Sequence, residues 1–100
     1  MIIYNITYSI DPAIESEWLQ WMKENYLVKI DTTKLVTSCK LLQLLTEVEE
    51  GGVTYTCQLS FDRTENLVRF EEMYENSLEN EHHVRFRGKY GCFRTLLKEV

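Results

Sequence analysis

Val53-Thr54-Tyr55-Thr56-Cys57-Gln58-Leu59-Ser60-Phe61 carries an apolar or aromatic side chain at every odd position and a small or neutral polar one at every even position. A period of two is the period of a β-strand with unlike faces. The odd face suits packing against helices. The even face is too neutral for an ordinary wet surface and too polar for an ordinary core. A chain built around this strand is expected to hide that face.

The N-terminal stretch Met1–Ile10 has the same character. Ile2, Tyr4, Ile6, Tyr8 and Ile10 fall on one side, and Ile3, Asn5, Thr7 and Ser9 on the other. Asp11-Pro12 then reads as a helix start, with Asp11 as N-cap and Pro12 at the first helical position. Ile14, Trp18, Trp21 and Met22 form an apolar stripe that predicts a helix to about Asn25 or Tyr26. Tyr26–Leu35 reads as a loop with a short helical turn near Asp31–Lys34.

From Val36 to about Val48 the chain is β-prone but loses strict alternation through Leu41, Leu42, Leu44 and Leu45. Glu49-Glu50-Gly51-Gly52 decides in favour of a strand, because paired glycines before Val53 make a hairpin connection. Past Phe61, Asp62 with Glu65 resembles a capping box. Leu67, Phe70, Tyr74 and Leu78, with Met73 alongside, give the buried stripe of a second helix. Asn80–Tyr90 reads as a further short helix, and Cys92–Val100 as a last strand.

The order strand, helix, strand, strand, helix, strand is the split βαβ, or ferredoxin-like, arrangement. The expected class is α+β: a four-stranded antiparallel sheet with two helices on one face, in a single domain over residues 1–100. The first and third strands become the central pair. Their uncovered face presents Asn5, Thr7, Ser9, Thr54, Thr56, Gln58 and Ser60, none of them charged, although 27% of the chain is charged. Such a face is expected to meet a second copy, giving a homodimer whose packed sheets enclose a neutral cavity. Asn5, Thr7, Thr54, Thr56 and Gln58 would floor that cavity and contact a small-molecule ligand.

Composition narrows the classes. A net charge of -5 disfavours a general nucleic-acid or anionic-membrane partner. No apolar run approaches the ~20 residues that span a bilayer, and the N-terminus reads as a strand, not a leader. Cys39, Cys57 and Cys92 are odd in number and widely spaced, so no disulfide framework or metal site is expected, and reduced thiols point to the cytoplasm. An RNA-recognition module of this topology would need aromatics on the open faces of its central strands, where Asn5 and Thr56 stand.

The opening Met1-Ile2-Ile3-Tyr4-Asn5, the helix Trp18-Leu19-x-Trp21-Met22 and the ending Phe93-Arg94-Thr95-Leu96-Leu97 make the whole chain resemble the dimeric α/β-barrel superfamily. That superfamily includes antibiotic-biosynthesis monooxygenases, haem-degrading enzymes and ligand-sensing domains. More closely, the chain resembles a group of short bacterial proteins known as a domain of unknown function. The resemblance implies the fold and the dimer and supplies no reaction. In haem-degrading members, a first-strand asparagine, a tryptophan and a histidine late in the second helical region form the site. Asn5 and either His82 or His83 occupy similar places, but the tryptophan does not transfer, because Trp18 and Trp21 lie on the first helix. Haem is therefore the one cofactor the resemblance leaves open, and the residues themselves call for none.

The plainer account is that Asn5 meets a neighbour across the dimer and the histidines are solvated. Adjacent helical residues face different ways, so at most one histidine would serve a site. Arg85 and Arg87 offer an anion-binding pair, or simply partners for the acidic second helix. The reading favoured is a binding or interaction module. A cofactor-independent monooxygenase or a haem enzyme using the barrel cavity is the alternative.

Overall fold

The computed structural model describes residues 1–46 and 52–100. Four strands, β1 (Ile2–Ile10), β2 (Ser38–Gln43), β3 (Val53–Phe61) and β4 (Tyr90–Lys98), form one sheet in the order β2-β3-β1-β4. Every neighbouring pair is antiparallel. Helix α1 (residues 15–32) follows a 3₁₀ turn at Pro12–Ile14, and helix α2 covers residues 64–86. This is the expected ferredoxin-like fold with β1 and β3 at its centre. The glycine connection expected at 49–52 lies outside the described residues except for Gly52. A Cβ at Gly52 would come 2.7 Å from the Ser9 Oγ.

Alternation sorts the side chains as expected. Tyr4, Ile6, Tyr8 and Ile10 of β1 and Tyr55, Cys57, Leu59 and Phe61 of β3 are buried under the helices. Trp18, Met22, Tyr26 and Ile30 of α1 and Leu67, Phe70, Leu78 and Phe86 of α2 complete the core. Asp11 caps the first turn, its Oδ1 accepting from the Ala13 N–H at 2.9 Å.

The helix boundaries differ from expectation. Residues 26–32 continue α1 instead of forming a loop, and α2 runs unbroken through residue 80. Both helices contain a π turn, at Met22–Tyr26 and at Glu71–Glu75. Their core-facing stripes step by strict fours, Trp18-Met22-Tyr26-Ile30 and Phe70, half-buried Tyr74, Leu78, His82, Phe86. A step of four overshoots a 3.6-residue turn by about 40°, and the wider π turn absorbs the drift. The capping box is absent: α2 starts at Thr64, and no side chain caps its first turn. Strand β2 is shorter than expected, although residues 47 and 48 lie outside the described set. Met73, expected beside the stripe, is exposed.

Candidate functional site

Two surfaces carry chemistry, one on each side of the sheet. The first is the open face. Register sets Asn5 opposite Gln58, Thr7 opposite Thr56 and Ser9 opposite Thr54. The Thr7 and Thr56 hydroxyls are 3.5 Å apart. The Asn5 Oδ1 is buried and has no hydrogen-bond partner among the described residues. Register adds Leu42 from β2 and Phe93 and Leu97 from β4, all three exposed. Lys40 lies on the same face, opposite Gln58. The neutrality of the central strands therefore does not extend to the outer ones. At one end of this face, Thr7, Ser9, Leu44, Gly52, Thr54, Gly91 and Phe93 line a hollow of about 470 Å³.

The second surface lies beneath α2. His82 is buried, with 1% of its surface exposed, in correction of the expectation that both histidines are solvated. Its Nε2 accepts the Trp18 Nε1–H at 2.8 Å, which places the proton of the neutral ring on Nδ1. Rings surround it: Tyr90 at 4.4 Å between centroids, Tyr8 at 4.8 Å, Phe86 at 5.3 Å and Trp21 at 5.8 Å. Burial, helped by His83, pushes its pKa down to about 4. His83 is exposed, and its Nδ1 is 2.9 Å from the Tyr90 hydroxyl. Burial, reinforced by Cys92, raises the Tyr90 pKa, so the phenol keeps its proton.

Between α2 and β4 these residues border a chamber of about 260 Å³, lined by Tyr8, Glu79, Asn80, His82, His83, Tyr90, Cys92 and Arg94. Arg94, one of the lining residues, is paired with Glu79 and, at 3.5 Å, with Glu75. Glu75 Oε1 also accepts the Tyr4 O–H at 2.8 Å, and its Oε2 is buried without a partner among the described residues. Burial and the Glu75 carboxylate together drive the Tyr4 phenol far above its ordinary range.

The structure thus separates residues that sequence patterns grouped. Asn5 faces the open side and His82 the helix side, so the sheet stands between them. Thr7 and Thr54 line the open-face hollow, with Thr56 alongside and Gln58 beside Asn5. Arg85 pairs with Glu17 of α1 at 3.5 Å, and neither it nor Arg87 lines the hollow or the chamber. Tyr90 has no expected place at a site. The signal for His82 was its place four residues past Leu78, which a break in the helix at Asn80 concealed. Among the described residues, no group of three or more His, Cys, Asp or Glu side chains is placed to hold a metal ion. None of the described helices is long and apolar enough to cross a membrane.

A family model described as a domain of unknown function, DUF4286, matches residues 1–100. The chain belongs to this family. No curated protein matches it. Among solved structures, a protein of the ethyl tert-butyl ether (ethd) family from Bacillus halodurans aligns over 100% of both chains, with a TM-score of 0.73 at 14% identity. HapK from Hahella chejuensis aligns over 100% of this chain and 93% of its own, with a TM-score of 0.71 at 8% identity. An MhuD variant with two manganese protoporphyrin IX molecules bound per active site aligns over 100% of this chain and 95% of its own. Its TM-score is 0.64 at 12% identity. At these identities the likeness is one of fold. His82 does not fit a haem iron as it stands. The Nε2 of His82 is taken by Trp18, and aromatic rings crowd the imidazole.

Proposed function

We propose that the protein is a homodimeric small-molecule-binding module in which a second copy covers the open sheet face and roofs the hollow over Thr7, Ser9 and Thr54. The observation that carries this is the sheet face that no helix covers. Leu42, Leu44, Phe93 and Leu97 are exposed around a strip of hydroxyls and amides. Apolar edges suit a partner's sheet, and the uncharged strip suits a ligand with hydrogen-bonding groups and no formal charge.

Light scattering of the pure protein is expected to give twice the 11.9 kDa chain mass. A single-chain mass at micromolar concentration overturns the dimer. Native mass spectrometry of the same sample reads the ligand, because a retained small molecule adds its mass to the dimer peak. Haem titration is expected to leave the Soret band of free haem unmoved, and a shifted band would favour a haem-handling role instead.

A further inference from the structure

Register resolves the open-face hollow residue by residue. Thr54, Ser9 and Gly91 lie opposite one another on β3, β1 and β4. Leu44, just past β2, joins their row through its N–H bond to the Thr54 carbonyl at 2.9 Å. The next row on the same face reads Leu42, Thr56, Thr7, Phe93. Neighbouring strands stand about 4.8 Å apart, so the Thr54 and Ser9 side chains are side by side and Gly91 is one strand further on. Ser9, Gly91 and Phe93 are exposed within the protomer.

Gly91 is the unexplained residue of its row. It lies inside β4, its φ is not left-handed, and a Cβ added there would meet nothing within 4 Å. Neither the backbone nor the packing of the protomer calls for glycine. Gly52 differs, because a Cβ there would press on the Ser9 Oγ. A glycine inside a strand often marks the close approach of a ligand or of another backbone. Here the missing side chain leaves a bare floor beside Phe93, and one strand spacing away stand two hydroxyls, each able to donate and to accept. None of the described residues that line the hollow carries a formal charge. A charged group seated there would lose water without gaining a counter-ion.

Building on the open face as a ligand-binding surface, we propose that this hollow seats an uncharged ring bearing a hydroxyl. The ring lies over Gly91 against Phe93, and its hydroxyl meets Ser9 and Thr54.

Three probes built on one ring test this on the intact protein: 2-naphthol, 2-naphthoate and 2-naphthylmethylamine, which are neutral, anionic and cationic at neutral pH. Each is titrated while the backbone amide NMR signals are followed. 2-Naphthol is expected to shift the Ser9, Thr54 and Gly91 signals and to bind at least about tenfold more tightly than either charged probe. Gly91→Leu fills the floor and is expected to weaken 2-naphthol by at least about tenfold. Ser9→Ala adds no bulk and is expected to weaken it by about fivefold, so the test holds even if the leucine variant misfolds. A charged probe that binds as tightly as 2-naphthol overturns the proposal. So do unmoved signals at those three residues, or a folded Gly91→Leu protein that binds 2-naphthol as well as the wild type. Light scattering of the same samples separates this from the dimer. A dimer that ignores 2-naphthol overturns the ring site alone, and if Gly91→Leu also breaks that dimer, the space belongs to the partner's side chains. A single-chain mass with Gly91-dependent binding of 2-naphthol overturns the dimer and upholds the ring site.

Discussion

A histidine kept neutral inside an aromatic cluster makes stability depend on acidity. An ordinary histidine titrates near 6.5, and His82 titrates at about 4. Between those values the unfolded chain binds a proton that the folded chain refuses. Stability therefore rises with pH across that window and falls as the pH drops from about 6.5 toward about 4. A shift of this size corresponds to about 3 kcal/mol. His82→Gln keeps an acceptor in the side chain for Trp18 and cannot titrate. Urea unfolding of the two proteins from neutral pH down to about pH 4 is expected to show the wild type losing about 2–3 kcal/mol more than the variant. Parallel losses would mean that His82 titrates normally. The doublet His82-His83 looks symmetrical in sequence, and only helix phase distinguishes its members. Four residues separate His82 from Leu78 and from Phe86, and that phase was hidden by ending the helix early. The Trp18–His82 contact joins residues 64 positions apart, which no local pattern reports.

At the scale of elements, the strands were legible and the helix ends were not. The alternation of β1 and β3 predicts which side each residue faces, and burial follows it from Tyr4 to Ile10 and from Tyr55 to Phe61. Helix α1 outran its expected end because Tyr26 and Ile30 continue the stripe at intervals of four, which a 3.6-residue repeat scores poorly. The helix stops at Lys34, whose φ of 61° is left-handed. Its N–H bonds the Asp31 carbonyl at 3.2 Å, an ending that usually falls to glycine. A side chain in this region costs about 1–2 kcal/mol, and glycine gives back about 0.5–1 kcal/mol through its freer unfolded state. Lys34→Gly is therefore expected to stabilise the protein by about 0.5–1 kcal/mol, read as a raised urea midpoint at an unchanged slope. Gly88, with φ of 80°, already serves the turn after α2.

For the whole molecule, the sheet is covered by helices on one face only, and the uncovered face carries exposed Phe93 and Leu97 on β4. The neutral strip could be read from β1 and β3 alone. The mixture of Leu42, Lys40, Phe93 and Leu97 around it could not, because β2 and β4 do not alternate cleanly. Burying an apolar side chain of this size gains about 1.5–3 kcal/mol. Phe93 and Leu97 keep 62% and 43% of their surface exposed, so two such residues from each of two copies would give about 3–6 kcal/mol, against about 8 kcal/mol for a micromolar complex. These four side chains would then supply a large share of the energy of a micromolar dimer through this face. Phe93→Glu with Leu97→Glu is expected to leave only monomer in light scattering at micromolar concentration. Neither residue belongs to the core beneath the helices, so far-UV circular dichroism and the urea slope per chain should remain those of a folded protomer. Persistence of the dimer in the double variant would move the interface away from this face, to the unpaired outer edge of β4 or to the helices. The hollow over Thr7 and Thr54 would then be open to solvent and without a roof.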